Sequence, residues 1–110
     1  MYNKSIIQGN LARDPESKTL GAGTTVCSFA VATNRKYTAN GEKREETSFI
    51  PVEAFGKQAE LITQYFHKGD PILLDGHLKQ DTWEKDGTKH TIIKVVLENF
   101  SFIGGKAPQQ

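Results

Sequence analysis

The sequence is poor in cysteine: Cys27 is the only one among 110 residues. A single cysteine excludes an internal disulfide framework and is typical of proteins from a reducing compartment. Cys27 lies in the apolar run 26–32, where cysteine usually acts as a small core residue. A nucleophile would need a positively charged setting and a partner histidine, and neither lies nearby in the sequence, so we interpret Cys27 as structural.

Long apolar segments are also missing. No run of apolar residues approaches the length of a membrane span. The first four residues lack the apolar core of a secretion signal, and they lack the arginine-rich, acid-poor character of a transit peptide. We therefore expect a cytoplasmic protein that acts without a membrane.

Sequence signatures of catalysis are absent as well. There is no phosphate-binding loop, nucleophile elbow or zinc motif. The histidines, His67, His77 and His90, lack the spacing of metal ligands and have no cysteine pair to join them. A nuclease would need a metal-binding carboxylate cluster, which the sequence pattern does not assemble. We therefore predict a protein that is not an enzyme and that binds no metal or cofactor.

Charge is present but unevenly distributed. The chain is long enough for one domain with a single core, and its net charge is +1. Residues 1–44 contain seven Lys and Arg against three Asp and Glu, which gives +4. Residues 45–110 contain seven against ten, which gives −3. Net positive charge is therefore concentrated in the first part of the chain.

A polar stretch, residues 35–46, combines these cations with an aromatic ring and is predicted to be a long loop. Two basic pairs flank a turn-like segment that contains Tyr37; they are Arg35, Lys36, Lys43 and Arg44. Such a loop is usually only solvated. A ring between cations, however, can stack on a nucleic-acid base while the cations bind phosphate, so these five residues are candidate contacts.

The stretch 47–55 reads as a strand whose two faces differ in character. Alternation divides it into a core face of Ile50, Val52 and Ala54 and a mixed face of Phe49, Pro51, Glu53 and Phe55. Glu53 would be costly to bury without a partner, so we expect the mixed face to be exposed to solvent. Two exposed rings with Lys57 just beyond them are suited to stacking on bases and binding phosphate.

Hydrophobic periodicity predicts five strands and one helix. The strands are expected at residues 3–11, 26–34, 47–55, 71–78 and 91–102, and the helix at 58–66. On the fourth strand, Ile72, Leu74 and Leu78 should lie on one face. Gly69 is expected to end the helix in a left-handed turn, and Asp86-Gly87 should form a hairpin turn before the last strand.

Three strands, a helix and two strands match the oligonucleotide-binding (OB) fold, an all-β Greek-key barrel with its helix between strands three and four. Another kind of five-stranded barrel stays open. We predict that residues 1–104 form this domain and that residues 105–110 form a short disordered end. In an OB fold the binding surface lies on strands two and three and the loops around them, which is where four rings fall: Tyr37, Phe49, Phe55 and Trp83.

Several short motifs in this order resemble those of bacterial single-stranded DNA-binding proteins. They are Gly9-Asn-Leu11, Asp14-Pro-Glu16, Phe29-Ala-Val-Ala-Thr33, Thr47-Ser-Phe49, Ala54-Phe-Gly-Lys57, Lys68-Gly69 and Asp75-Gly76. The resemblance runs from about residue 3 to residue 104. It implies sequence-independent binding and protection of single-stranded DNA in replication, recombination and repair. It also implies a homotetramer that pairs through first strands.

The resemblance implies roles for individual residues. In the family, aromatic residues at the positions of Tyr37, Phe49, Phe55 and Trp83 stack on bases. The positions of Lys57 and Lys68 are associated with the DNA path. Further candidate phosphate contacts are Lys4 and Lys79.

The sequence departs from the family pattern in three respects. Tyr37 and Phe49 stand where the best-known members have tryptophan, which should preserve stacking with less ring area. Asp81-Thr82 replaces a commonly basic pair before Trp83, which weakens the expected attraction for phosphate there. Longer members end in a tail whose acidic tip recruits replication and repair proteins, and this sequence stops at Gln110 without it. We expect either a truncated chain or a protein that does not recruit partners in that way.

One alternative uses the same fold. A primosomal replication-restart protein would bind DNA weakly and would act chiefly by docking a helicase. The four aligned rings favour the DNA-binding protein.

Overall fold

Six strands and one helix make up residues 1–103, the part of the chain that the computed structural model describes. The strands are β1 (Ser5–Leu11), β2 (Glu16–Thr19), β3 (Thr25–Ala39), β4 (Glu42–Phe55), β5 (Pro71–Lys85) and β6 (Thr88–Phe102). The helix, α1 (Gly56–Tyr65), lies between β4 and β5. Strand order in the sheet is β1-β5-β6-β4-β3-β2, and an additional pairing of β1 with β3 closes a barrel.

The predicted five-stranded barrel with a helix between its third and fourth strands is confirmed. Five long strands form the wall, and β2 is a short extra strand that pairs Glu16–Thr19 with residues 25–28 of β3. All four β2 residues are exposed. Their polar sequence carries no alternation, which is why the sequence pattern did not predict this strand.

The prediction of a long loop at 35–46 was wrong. β3 and β4 continue their antiparallel pairing without a break from Val26↔Phe55 to Ala39↔Glu42. The turn between them uses Asn40 and Gly41, whose φ angles of 52° and 77° are those of a tight two-residue hairpin. Both faces of this ribbon are polar, so it lacks the hydrophobic alternation that reveals a half-buried strand.

The hairpin turn at Asp86-Gly87 is confirmed, with φ angles of 53° and 77°. The flanking strands are longer than predicted, since β5 extends to Lys85 and β6 starts at Thr88. The shared face predicted for Ile72, Leu74 and Leu78 is confirmed. Leu78 points to the same side of β5 as Ile72 and Leu74, but it lies where the strand has passed the barrel interior, and 47% of it is exposed.

Alternating side chains of the long strands fill the barrel together with one face of α1. Cys27, Phe29 and Val31 of β3 are buried, as are Val52 and Ala54 of β4. The helix contributes Ala59 and Ile62, and Phe66, which follows the helix, is buried with them. Burial raises the pKa of the Cys27 thiol, which agrees with its prediction as a structural residue.

The helix ends earlier than predicted. Phe66 is its C-terminal cap residue and donates its backbone N–H to the carbonyl of Ile62. Gly69 does have a left-handed φ of 91°, but it lies in the following turn and donates its N–H to the carbonyl of Leu11. Gly69 therefore belongs to the turn that precedes β5 and does not cap the helix. Within residues 1–103, no helix is long and apolar enough to cross a membrane.

Two narrow seams close the barrel. At one seam, β1 pairs with β3 through Asn10↔Ala32 and Leu11↔Val31. At the other, β4 runs parallel to β6 and pairs only through Val52↔Val95 and Glu53↔Val96. Beyond these seams the β3–β4 and β5–β6 hairpins project as two separate arms. The predicted end segment 105–110 and Gly104 lie outside the described residues.

Candidate nucleic-acid interface

Three aromatic rings lie on one outer face of the barrel, which we call the ring face: the outward-facing side chains of β4, β5 and β6 around Phe49, Phe55 and Trp83. The exposed fractions of these three residues are 65%, 39% and 47%. Phe49 and Phe55 alternate with the buried Val52 and Ala54, as the sequence predicted. Of the predicted mixed face, Phe49 and Phe55 are exposed, whereas Pro51 and Glu53 between them are half-buried.

The register of the sheet places Trp83 on the same face as the two phenylalanines. Glu53 of β4 pairs with Val96 of β6, and both point outward. Along β6 the outward positions continue through Lys94 and Ile92 to His90, which pairs with Trp83 of β5. Trp83 thus shares one continuous surface with Phe55 and Phe49, which precede it by 28 and 34 residues in the sequence.

The contrast with the other phenylalanines shows that this exposure is selective. Phe66, Phe100 and Phe102 pack together, with ring centroids 4.9 to 5.8 Å apart, and Phe29 is also buried. Fully burying a phenylalanine contributes about 1.5–3 kcal/mol, so leaving two of the six in solvent forgoes a sizeable gain in stability. Exposed rings that could otherwise stabilise the core are typical of a binding surface.

Trp83 is held by its cross-strand neighbour. Its indole stacks on the imidazole of His90, with centroids 5.6 Å apart and an interplanar angle of 21°. The stack restricts the indole rotamer and still leaves the tryptophan 47% exposed. A preorganised ring loses less conformational freedom when a base stacks on it.

The ring face also carries a lysine that the sequence analysis missed. Lys94 Nζ lies 2.9 Å from Glu53 Oε1 and 2.5 Å from Asp81 Oδ2. Burial opposes the charge of Lys94, but its hydrogen bonds to Asp81 and Glu53 outweigh this effect and raise its pKa. The hydrogen bond from Lys94 lowers the pKa of Asp81. The acidic departure at Asp81 is therefore balanced by a cation from β6.

Strand alternation could have identified Lys94. Val95 and Leu97 are buried, so Lys94 must point outward once 91–102 is taken as a half-buried strand. Its two carboxylate partners come from β4 and β5, however, and their proximity depends on the parallel pairing of β4 with β6. That pairing has no local sequence signal.

The basic residues of the β3–β4 arm surround Tyr37. The Arg35 guanidinium lies 5.1 Å from the centroid of the Tyr37 ring. The arginines of the arm are engaged in ion pairs, Arg35 with Glu46 at 3.5 Å and Arg44 with Glu42 at 3.2 Å. Within residues 1–103, Lys36 and Lys43 form no ion pair. These two lysines are therefore the arm cations with the fewest competing partners for a phosphate.

Tyr37 does not share the face of Phe49. Phe49 pairs with Ala32, and Tyr37 lies five residues further along β3, where it pairs with Arg44. An odd separation on a regular strand directs the two side chains to opposite faces of the ribbon. The structure thus brings together three of the four predicted rings and places the fourth on the other side of the arm.

The remaining predicted lysines occupy different settings. Lys57 lies in the first turn of α1, two residues after Phe55, and is exposed. Lys68 is exposed and its backbone N–H donates to Asp14 Oδ1. Lys79 lies 3.8 Å from Asp81. Lys57 therefore adds a cation just beyond Phe55, and Lys79 lies on the ring face itself, beside Lys94 of β6.

Lys4 belongs to a second charged cluster. Its Nζ lies 2.7 Å from Glu98 Oε1 and 3.1 Å from Asp75 Oδ1, and His77 Nδ1 is 2.7 Å from Glu98 Oε2. The hydrogen bond from Lys4, and that of His77, lower the pKa of Glu98, and the bond from Lys4 also lowers the pKa of Asp75. A phosphate at Lys4 would have to compete with two carboxylates. Within residues 1–103 no group of three His, Cys, Asp or Glu side chains is placed to hold a metal ion.

A closed five-stranded barrel with this helix position is an OB-fold barrel, and its exposed rings lie where such barrels bind their ligands. A sequence model described as the single-strand binding protein family matches residues 2–103. The chain belongs to this family. Its structure superposes on "Plasmodium falciparum SSB complex with ssDNA" with a TM-score of 0.88, at 23% sequence identity and with 94% and 96% of the two chains covered. That likeness confirms the fold.

Two relatives illustrate the match in sequence. The single-stranded DNA-binding protein of Aquifex aeolicus (strain VF5) is 42% identical over 104 residues, which cover 94% of this chain and 71% of the relative. The protein of the same name from Wolinella succinogenes is 36% identical over 112 residues, which cover 100% of this chain and 69% of the relative. The resemblance seen in the sequence motifs is therefore confirmed at the level of the family.

Proposed function

We propose that this protein binds single-stranded DNA without regard to sequence. The observation that carries the proposal is the ring face, on which Phe49, Phe55 and Trp83 are exposed while the other phenylalanines are packed in the interior. Every base has a flat π surface, so stacking on such rings tolerates any sequence. The relatives' names, which describe single-stranded DNA-binding proteins, support the same function.

Cations around the rings supply the attraction for the backbone. Lys57 follows Phe55, Lys79 lies on the ring face, and Lys36 and Lys43 lie on the β3–β4 arm. Lys68, at the turn after α1, adds a further cation. Contacts between lysine and phosphate release counterions, so the affinity should fall as salt rises. Duplex DNA keeps its bases stacked inside the helix and offers the rings no free base, so it should bind far more weakly.

The proposal predicts quenching of the intrinsic fluorescence when the protein is titrated with an oligothymidine strand. Trp83 is the only tryptophan and lies on the ring face, so it reports stacking directly. We expect strong quenching by the single strand, with an affinity that decreases from low to high salt, and little change with a duplex.

The same titration can contradict the proposal. Equal quenching by single strand and duplex would indicate a backbone contact without base stacking. No quenching by either would favour the alternative in which the rings serve a protein partner, as in a primosomal docking protein. Reduced affinity at high salt with unchanged quenching at saturation is the pattern that the ring face and its lysines require.

We further propose that the protein assembles into a homotetramer through β1. The side of β1 that does not face β5 pairs with β3 only at Asn10 and Leu11. Within the described residues, Ser5–Gly9 therefore present an open strand edge, with Ile6 exposed beside it. An open edge of this kind can pair with the same edge of a second copy. A strand of DNA could then contact several ring faces and gain affinity from multivalency.

Sedimentation equilibrium tests this assembly. We expect the wild-type protein to sediment as a species of four times the chain mass of 12.2 kDa. Ile6→Asp would place charges of one sign on either side of the shared edge and should shift the protein towards smaller species. A monomeric wild-type protein at micromolar concentration would contradict the tetramer, and it would leave the ring face of each barrel intact.

In the cell, we propose that this binding keeps unwound DNA free of hairpins and protects it from nucleases during replication, recombination and repair. Such a role requires binding rather than catalysis, and it places the protein in the cytoplasm where the DNA is copied. The barrel described by residues 1–103 contains all the rings and lysines that this function needs.

A further inference from the structure

Lys94 stands where the two hairpin arms separate. β4 and β6 pair only through Val52↔Val95 and Glu53↔Val96, and Lys94 is the outward-facing residue of β6 next to this seam. Its ammonium reaches Glu53 on β4 and Asp81 on β5. The side chain thus joins three strands across the ring face at the point where hydrogen bonding between β4 and β6 has ended.

The two carboxylates are unfavourable neighbours for DNA. Glu53 lies on the outer face of β4 between Phe49 and Phe55, and Asp81 lies two residues from Trp83 on the same face of β5. If Lys94 were absent, these two negative charges would be uncompensated and would repel phosphates that approach the rings. The repulsion would extend over several ångströms. Lys94, with help from Lys79 at 3.8 Å from Asp81, makes the centre of the ring face neutral.

The geometry of Lys94 differs from that of a phosphate contact. Only 15% of its side chain is exposed, and its ammonium is directed at both carboxylates. Lys36, Lys43 and Lys57, by contrast, are exposed and have no ion pair within residues 1–103. These lysines can reach a phosphate at lower cost than Lys94, which would have to abandon two charged partners.

We infer that Lys94 is a positioning residue of the DNA-binding face. It neutralises Glu53 and Asp81, so that the carboxylates among the rings do not repel the phosphates of a bound DNA strand. It does so without binding the DNA itself. This inference rests on the proposed single-stranded DNA binding, and it adds a residue that the ring and phosphate contacts do not include.

Charge-removal variants test the role of Lys94, with oligothymidine as the probe. We expect Lys94→Gln to lower the affinity roughly tenfold at low salt, because two like charges then face the phosphates, and to lower it less at high salt, where repulsion is screened. Lys89→Gln is the matched control: it removes the same charge from the opposite face of β6. Lys89→Gln should bind nearly as well as the wild type.

A triple variant distinguishes charge compensation by Lys94 from a direct contact between Lys94 and phosphate. The triple variant Lys94→Gln/Glu53→Gln/Asp81→Asn removes the carboxylates together with the lysine, and we expect it to regain at least wild-type affinity with a wild-type salt slope. If Lys94 instead contacts phosphate, the triple variant will stay weak and its slope will be smaller by about 0.7. That result, or wild-type binding by Lys94→Gln, would overturn the inference.

Folding of the variants and the pKa of Asp81 provide two further tests. Should Lys94→Gln fail to fold, recovery of both folding and binding in the triple variant still supports compensation, whereas a folded triple variant that does not bind refutes it. Without DNA, NMR titration should show the Asp81 pKa rising towards its usual value in Lys94→Gln, and an unchanged value would refute the ion cluster. Failure of the wild-type protein to bind oligothymidine would refute the proposed function itself, a result distinct from any of these.

Discussion

Removing the two most exposed rings of the ring face together should nearly abolish single-stranded DNA binding. Each ring stacked on a base contributes about 1–3 kcal/mol, so Trp83→Ala or Phe49→Ala alone should weaken binding roughly tenfold or more, and about 30-fold for mid-range stacking energies. For the double variant Phe49→Ala/Trp83→Ala we expect a loss of at least about 30-fold, and about a thousandfold for mid-range stacking energies. The measurement is a binding titration by anisotropy of a labelled oligothymidine, because the double variant has no tryptophan to report quenching.

The opposite face of the β5–β6 hairpin provides the control. Leu78 and Ile93 are 47% and 56% exposed, but alternation places them on the side away from Trp83. Leu78→Ala/Ile93→Ala removes a similar amount of exposed apolar surface and should leave the affinity unchanged. Equal losses in the two double variants would mean that general apolar surface is responsible, and the stacking role of Phe49 and Trp83 would be refuted.

Gly76→Ala should severely destabilise the barrel. Gly76 is buried at the irregularity between β5 and β6. A Cβ at this position would lie 2.9 Å from Val95 Cγ1 and would also approach the carbonyl oxygen of Val96 closer than 3.0 Å, a separation that Cβ atoms essentially never show. Since a backbone carbonyl cannot rotate away as a side chain can, β6 itself must move.

We expect Gly76→Ala to lower the free energy of unfolding by about 3 kcal/mol or more, as in severe overpacking. For a domain of this size, that change corresponds to a decrease in Tm of about 12 °C or more in a thermal melt. Gly21→Ala is the matched control, because nothing lies within 4 Å of its added Cβ. The Tm of the control should stay within a few degrees of wild type, and similar melting of both variants would disprove the close packing at Gly76.

Local alternation was enough to predict much of the binding surface. The spacing of Phe49 and Phe55 against Val52 and Ala54 fixes which side of β4 faces solvent, whatever the neighbouring strands are. Trp83 could be placed only through the expected OB fold and the resemblance to a family. Its position on the same face follows from the parallel pairing of β4 with β6, which joins residues that are more than 40 apart in the chain.

The structural features that the sequence pattern did not reveal have related causes. The β3–β4 arm has solvent on both sides, so its strands carry no pattern of burial, and a regular ribbon was taken for a loop. Leu78 obeys the alternation of β5, but a sequence does not reveal where a strand leaves the barrel. Lys94 was missed because its importance comes from partners on two other strands. In each case the missing information is tertiary, and no local propensity contains it.

The barrel consists of two hairpins with long ladders, and only short pairings join one hairpin to the other. The β3–β4 and β5–β6 ladders each extend over 14 residue pairs, whereas β4 and β6 share only two. A ligand that contacts Phe49 on one hairpin and Trp83 on the other would act as a cross-link over that seam. By mass action, such a ligand raises the melting temperature of the native barrel in proportion to the logarithm of its concentration. A bound DNA strand would therefore stabilise the closed barrel of the protein that shields it.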